Sequence, residues 1–121
     1  MSERPHRRLI LWQKSISLTK SIYAMTARFP GGERYGLVSQ MRRASVSIAS
    51  NIAEGAARYS NAEKLHFFHI ARGSLSELDT QLEISDHLSF VPGDEQLLVQ
   101  QQIDEVGRLL QGLIASRKTQ S

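Results

Sequence analysis

Two stripes of residues along one helical segment, residues 39–55, constrain the fold more than any other part of the sequence. Apolar or small residues recur there at steps of four and three, which places them on one helix face: Leu37, Met41, Ala44, Ile48, Ile52 and Gly55. A second stripe of mostly short polar side chains lies about a quarter-turn away: Gln40, Arg43, Ser47, Asn51 and Glu54. A solvated face would be rich in Lys and Glu, so the segment predicts a helix that packs on more than one side.

Three further segments repeat with helical spacing, and none alternates as a strand would. The first helix ends at Phe29-Pro30-Gly31-Gly32, because proline cannot continue a helix and glycine favours turns. The third follows a capping box of Ser60 and Glu63, and Asp94 is the predicted N-cap of the fourth. The predicted core stripe of the first helix is Trp12, Ile16, Thr19, Tyr23 and Thr26, widened by Leu9, Ile22 and Phe29.

The four predicted helices cover about residues 9–28, 35–57, 61–88 and 95–116. Short connections place consecutive helices antiparallel, and a chain of 121 residues is long enough to bury one core. We therefore predict a single all-α domain over residues 1–121, an antiparallel up-down-up-down four-helix bundle. The second and third helices are apolar or small over a wide arc, which predicts assembly into a homo-oligomer.

Several classes of protein are disfavoured by what the sequence lacks. There is no cysteine, which excludes a disulfide scaffold, a Cys-based zinc site and a cysteine nucleophile. No apolar run approaches the ~20 residues of a membrane span, and Leu9-Ile10-Leu11-Trp12 is too short for the core of a signal peptide. The expectation is a soluble cytoplasmic protein with no membrane partner.

The sequence gives little support to catalysis or to a cofactor. His66 and His69 have a spacing that can bind metal, but no third ligand is evident, so a structural or surface role is favoured. Glu54 with Glu77 or Asp79 is read as a packing pair in preference to a catalytic one. The sequence lacks the Gly-x-Ser-x-Gly motif that carries the nucleophile of many hydrolases. It also lacks the glycine-rich motifs of phosphate-binding loops and of dinucleotide-binding domains. We predict a protein that is not an enzyme and holds no cofactor or metal.

Charge is distributed unevenly along the chain. Residues 1–60 hold ten Lys/Arg against three Asp/Glu, and residues 61–121 hold five against nine. Such a chain can offer a basic surface to a polyanion, or pair its basic part with its acidic part within one chain or between copies. Solvated faces that merely differ in charge are the third reading. The candidate contacts for a nucleic acid or a protein partner are Arg7, Arg8, Lys14, Arg34, Arg42, Arg43 and Arg58.

Arg42 and Arg43 point about 100° apart, so they cannot both serve one flat site. Arg43 belongs to the polar stripe and can equally pair with Glu54 or with an acid of the third helix, which leaves Arg42 as the better candidate for an outside partner. The rest of that stripe, Gln40, Ser47, Asn51 and Glu54, is predicted to form hydrogen-bonded helix contacts. Tyr35 and Tyr59, at opposite ends of the second helix, can stack on bases, but packing at the core edge is favoured.

Several motifs, in order, resemble the 23S rRNA intervening-sequence family, small four-helix bundles related to the accessory variability determinant of diversity-generating retroelements. The matching residues are Leu11-Trp12-Gln13-Lys14, Phe29-Pro30, Glu33-Arg34-Tyr35-Gly36-Leu37, the segments 39–44 and 50–55, Gly73 to Leu82 and Leu110 to Ile114. One departure is Ala49, where the family usually has proline. Because proline bends a helix, a straighter second helix is expected.

The resemblance implies a homopentamer without enzymatic activity. Its retroelement relatives bind a reverse transcriptase and nucleic acid through a basic surface, and the matching basic positions here are Lys14, Arg42, Arg43 and Arg58. Gln40, Asn51 and Glu54 look structural by the same comparison. Two hypotheses follow: a bundle that binds RNA, DNA or a nucleoprotein partner such as a reverse transcriptase, or a purely structural assembly module.

Overall fold

Four long helices make up most of the chain in a computed structural model that describes residues 4–119. They are α1 (Ile10–Thr26), α2 (Leu37–Ala56), α3 (Asn61–His87) and α4 (Gly93–Lys118). Short 3₁₀ turns precede α1 at Pro5–Arg8 and α2 at Gly31–Glu33. No strand occurs in this range, so the predicted all-α class is confirmed. None of these helices combines the length and apolar content needed to cross a membrane.

Neighbouring helices run antiparallel. Lys14 Nζ near the start of α1 lies 3.1 Å from Glu105 Oε1, whereas Arg28, just after α1, pairs with Glu95 near the start of α4. Thr19 Oγ1 donates to Ser45 O across α1 and α2 at 3.2 Å. Ser47 and Ser74 hydroxyls join α2 to α3 at 2.8 Å, and Gln100 Nε2 donates to Asp79 Oδ1 across α3 and α4 at 2.8 Å. The order up, down, up, down follows.

The core runs along the bundle axis and contains the predicted apolar stripe of α2. Met41, Ile48 and Ile52 have no exposed surface, and Ala44 is 3 % exposed. Fully burying an aliphatic side chain of this size contributes about 1.5–3 kcal/mol. The other helices supply side chains that are equally inaccessible: Leu18, Ile22, Ala71, Leu78, Leu82 and Ile114.

The core face of α1 differs from the predicted one. The buried residues of this helix are Leu11, Ser15, Leu18, Ile22, Met25 and Thr26. Ile16 is 43 % exposed and Tyr23 is 42 % exposed, so the predicted stripe was wrong for those two. The helix is apolar on two adjacent faces, and a shift of one residue turns the core-facing direction by about 100°. The chain buries the face with Leu18, Ile22 and Met25.

The ends of α3 and α4 test two predicted caps. Ser60 Oγ accepts from the backbone N–H of Glu63 at 3.1 Å, so Ser60 is confirmed as the N-cap of α3. Of the two hydrogen bonds in the predicted capping box, this is the one that forms among residues 4–119. The predicted cap of α4 was wrong, because Pro92 holds the N-cap position and its carbonyl accepts from Gln96 N at 2.9 Å. Asp94 lies inside the first turn, where its carboxylate accepts from Glu95 N at 3.0 Å and favours the positive end of the helix dipole.

Candidate nucleic-acid interface

The antiparallel path gathers positive charge in one half of the bundle. Residues 4–18, 47–74 and 106–119 lie in the half where α1 and α3 begin and α2 and α4 end. This basic half holds ten Lys/Arg and two Asp/Glu, a formal balance of +8. The opposite, acidic half, residues 19–46 and 75–105, holds five Lys/Arg and nine Asp/Glu, a balance of −4. The bundle is therefore electrically polar along its axis.

The seven candidate cations divide between these two halves. Arg7, Arg8, Lys14 and Arg58 lie in the basic half, whereas Arg34, Arg42 and Arg43 lie in the acidic half. The structure adds six cations that sequence reasoning did not select: Arg4, Lys64, Arg72, Arg108, Arg117 and Lys118. Most of these occur in the acidic part of the sequence, so only the antiparallel topology reveals that they share a half with Arg7 and Arg58.

Arg42 is engaged within the fold. Its Nε donates to Thr26 Oγ1 at 3.0 Å and its Nη2 donates to the Tyr23 carbonyl at 3.2 Å. The guanidinium carbon also lies 4.5 Å from the centre of the Tyr23 ring, a cation–π distance. Arg42 thus joins α2 to the last turn of α1, where it adds a second donor to the Tyr23 carbonyl, which also accepts from Ala27 N at 3.2 Å. This contact argues against Arg42 as the better candidate for an outside partner.

Arg43 has the environment that was expected for Arg42. It is exposed and forms no ion pair with any residue in the range 4–119. The pairing with Glu54, one of the alternatives left open for Arg43, does not form, because Glu54 Oε2 lies 2.8 Å from Arg58 Nη2, one turn away. Arg43 and Glu54 are separated by about 16 Å along the helix axis at ~1.5 Å per residue. A side-chain contact between them is not possible.

The polar stripe of α2 divides into two parts. Ser47 makes the inter-helix hydrogen bond to Ser74, and Asn51 Nδ2 donates to Ser47 O at 2.9 Å and to Ser47 Oγ at 3.1 Å. Gln40 and Glu54 are exposed, and Glu54 contacts Arg58 on its own helix. Helix-to-helix hydrogen bonding therefore occurs in the middle of the stripe and not at its ends.

Glu77 and Asp79, the carboxylates proposed as partners of Glu54, have other hydrogen-bond partners. Glu77 Oε1 accepts from Gln81 Nε2 at 3.2 Å, and Asp79 accepts from Gln100. Neither is paired with Glu54, so the expected packing pair between α2 and α3 was wrong. Each carboxylate accepts from a nearby side chain, which accounts for these residues as surface hydrogen-bond acceptors.

The predicted cations of the basic half differ in how strongly they are neutralised. Lys14 pairs with Glu105 and Arg58 pairs with Glu54. The Arg58 guanidinium also lies 4.7 Å from the centre of the Phe67 ring. Arg7 lies 5.6 Å from the Trp12 ring, and its side chain remains exposed, as does that of Arg8. Arg7 is consequently better placed for an external phosphate than Lys14 or Arg58.

A cleft at the end of the basic half lies between α2, α3, α4 and the segment that precedes α1. It is lined by Pro5, Leu9, Ala56, Lys64, Phe68, Leu113 and Arg117. Lys64 Nζ donates to the Ala56 carbonyl at 3.2 Å, which satisfies an acceptor at the end of α2. Burial, and secondarily the positive charge of Arg117, lower the pKa of Lys64. The second cause reflects the crowding of like charges at this end.

His66 and His69, on α3, each have a neighbour other than a metal ion. Arg72 Nη2 donates to His69 Nδ1 at 2.9 Å, and the His66 ring lies edge-on to Phe67 with 5.0 Å between centres. Burial, followed by the charges of Arg72 and Lys118, lowers the pKa of His69. Within the described part of the chain, no three His, Asp or Glu side chains converge to hold a metal ion.

Both tyrosines flanking α2 point into solvent. Tyr35 is 88 % exposed and Tyr59 is 101 % exposed, so the favoured reading of packing at the core edge was wrong. They occupy opposite ends of the molecule. Tyr59 lies in the basic half, and Tyr35 lies in the acidic half with Arg34 5.7 Å from its ring centre.

Comparison with known protein families shows which family this chain belongs to. The model of the family described as 23S rRNA-intervening sequence protein matches residues 7–112. The chain belongs to this family. The family match includes the candidate cations from Arg7 to Arg108, whereas Arg117 and Lys118 follow it.

A solved structure supports the fold of this family member. A Bacteroides thetaiotaomicron protein, described as of unknown function and from the S23 ribosomal protein family, superimposes with a TM-score of 0.81 at 20 % sequence identity. The similarity covers 88 % of this chain and 96 % of that protein. A comparison with curated proteins gave no match. The structural likeness establishes the shared bundle architecture.

Proposed function

We propose that this protein is a non-enzymatic, oligomeric bundle that binds nucleic acid, in the first instance RNA, through its basic half. The observation that carries the proposal is the +8 balance of that half. Lysine and arginine side chains that neutralise phosphates release condensed counterions, and this release supplies much of the affinity for nucleic acids. The exposed cations provide this chemistry without any catalytic group.

Pairing within the chain accounts for only part of the positive charge. The ion pairs Lys14–Glu105 and Arg28–Glu95 link α1 to α4, as expected if basic and acidic parts of one chain meet. Arg4, Arg7 and Arg72 are exposed in the basic half, where Glu54 and Glu63 are the only acids among the described residues. The remaining charge favours a polyanionic partner.

The rival function is a structural module in which the basic half of one copy meets the acidic half of the next. Charge complementarity supports it, since the two halves have opposite signs. The acidic half, at −4, can neutralise only half of the +8 on the basic half. Such an assembly would still present net positive charge, which makes nucleic acid the better-supported partner.

An apolar groove between α1 and α2 supports assembly of several copies. Trp12, Ile16, Val46 and Ala49 are among the residues that line it, and Ile16 and Val46 are each 43 % exposed. A second copy covering this groove would remove apolar surface from water. A homopentamer, as the family resemblance implies, would present five basic halves and so strengthen binding by multivalency. A nucleoprotein partner such as a reverse transcriptase would bind the basic halves as well.

A salt titration tests the proposal. A labelled structured RNA is titrated with protein at increasing salt, and log Kd is plotted against log salt concentration. Binding through several phosphates predicts a steep linear loss of affinity, with a slope of about 0.7–0.9 per phosphate contacted. Absence of binding at low salt would sink the nucleic-acid function and leave the assembly module. Light scattering on the same sample tests oligomerisation, which a monomer at micromolar concentration contradicts.

A further inference from the structure

Tyr59 has a position that folding does not explain. Its side chain is 101 % exposed and makes no hydrogen bond or ring contact with any residue in the range 4–119. A large aromatic ring in water contributes nothing to the core. Its placement in the loop between α2 and α3 puts it at the end of the basic half, directly after Arg58.

The loop that carries Tyr59 is held on both sides. At the end of α2, Arg58 N donates to Gly55 O at 3.2 Å, and Lys64 Nζ donates to Ala56 O. At the start of α3, Ser60 caps the helix by accepting from Glu63 N. The Tyr59 backbone therefore sits between two fixed helix ends, and the ring is presented outward from a pre-organised support.

Arg58 and three rings, those of Tyr59, His66 and Phe67, lie in or near this loop. The Arg58 guanidinium covers Phe67, and His66 packs edge-on against the same ring. Of the nearby acids, Glu54 is paired with Arg58, and Glu63 is exposed. Proteins that bind single strands combine a positive surface that follows the phosphates with aromatic side chains on which bases stack. Both parts are present at this end of the bundle.

Building on the proposed function, we infer that the loop between α2 and α3 binds unpaired nucleotides, with a base stacked on Tyr59 and basic-half cations facing the phosphates. Bases in a duplex are already stacked and their faces are hidden. The loop is short, and it offers neither a helix nor a β-ribbon to a major groove. The deep major groove of an RNA duplex is closed to side chains as well. The inferred ligand is single-stranded nucleic acid.

The chain supplies its own matched control for this inference. Tyr35 is an exposed tyrosine at the opposite end of α2, in the acidic half. Fluorescence anisotropy would compare wild type, Tyr59→Ala, Tyr59→Phe and Tyr35→Ala on a short mixed-sequence RNA and on the duplex of that sequence. Stacking on one base predicts that Tyr59→Ala weakens single-strand binding about fivefold or more. Tyr59→Phe and Tyr35→Ala should bind the single strand with nearly wild-type affinity. Tyr59→Ala should keep the salt slope of wild type, because no phosphate contact is removed.

The outcomes separate this inference from the function on which it rests. If wild type binds neither RNA at low salt, the proposed function fails. If wild type binds RNA but Tyr59→Ala binds the single strand equally well, or if Tyr35→Ala loses as much affinity, the Tyr59 site is overturned. Tighter binding to the duplex than to the single strand also overturns it. Light scattering on Tyr59→Ala completes the test, because a changed oligomeric state would assign the ring to a subunit contact.

Discussion

At the scale of single residues, the consecutive arginines of α2 have different roles. Arg42 bonds Thr26 and the Tyr23 carbonyl, while Arg43 faces solvent. One step along a helix turns the side-chain direction by about 100°, which is enough to move an arginine from a helix–helix contact to water. The sequence shows the angle between them but does not show which of the two faces α1.

The different surroundings of Arg42 and Arg43 predict different effects on stability when each is replaced with alanine. Arg42→Ala removes two hydrogen bonds and the contact with Tyr23, so we expect it to lower the free energy of unfolding by about 1–2 kcal/mol. Arg43→Ala removes no contact within the chain and should change stability by less than about 0.5 kcal/mol. Urea unfolding followed by circular dichroism measures both. Equal losses for the two variants would contradict the assigned roles.

At the scale of helices, α2 and α3 pack tightly against each other at Gly55. A Cβ at this position would lie 2.5 Å from Phe68 Cε1, 2.8 Å from Phe68 Cδ1 and 3.2 Å from the Lys64 carbonyl. Phe68 is 2 % exposed, so its ring could make room for a Cβ only by disturbing the packing around it. The glycine at the end of the apolar stripe is thus explained by packing and not by a turn.

Gly55→Ala should therefore destabilise the bundle even though alanine favours helix. Overpacking of a filled core costs about 1–3 kcal/mol. Gly73, in the middle of α3, is the matched control, because a Cβ there would meet nothing within 4 Å. Gly73→Ala should stabilise the protein by about 0.5–1 kcal/mol through helix propensity. Chemical denaturation of both variants decides the point, and a stabilised Gly55→Ala would show that the two helices are not in close contact.

The helices also show where sequence patterns are sufficient. The stripe of α2 was predictable because one face alternates clearly with polar neighbours, and Met41, Ile48 and Ile52 are buried as expected. The buried stripe of α1 was not predictable in this way, because Ile16 and Tyr23 form an apolar face beside the one with Leu18 and Ile22. Only tertiary packing selects between two such faces. The exposed face of α1 then lines the groove proposed for assembly.

At the scale of the whole molecule, charge polarity is a product of topology. The excess of Lys/Arg in residues 1–60 is visible in the sequence, but antiparallel folding redistributes it. Arg34, Arg42 and Arg43 move to the acidic half, while Lys64, Arg72 and Arg108 join Arg7 and Arg8 in the basic half. The fold was predictable from periodicity and loops, whereas the candidate surface required the path of the chain in space.

Two triple variants with the same change in charge test the central claim, that the basic half binds RNA. One replaces Arg4, Arg7 and Arg72 with Gln in the basic half, and the other replaces Lys20, Arg34 and Arg43 in the acidic half; all six side chains are exposed. The measurement is the salt dependence of RNA binding for wild type and both variants. At ~0.7 per phosphate for a single strand, the basic-half variant should bind more weakly with a slope reduced by about two, while the acidic-half variant follows wild type. Equal weakening by both variants would contradict the account, because net charge alone would then explain binding.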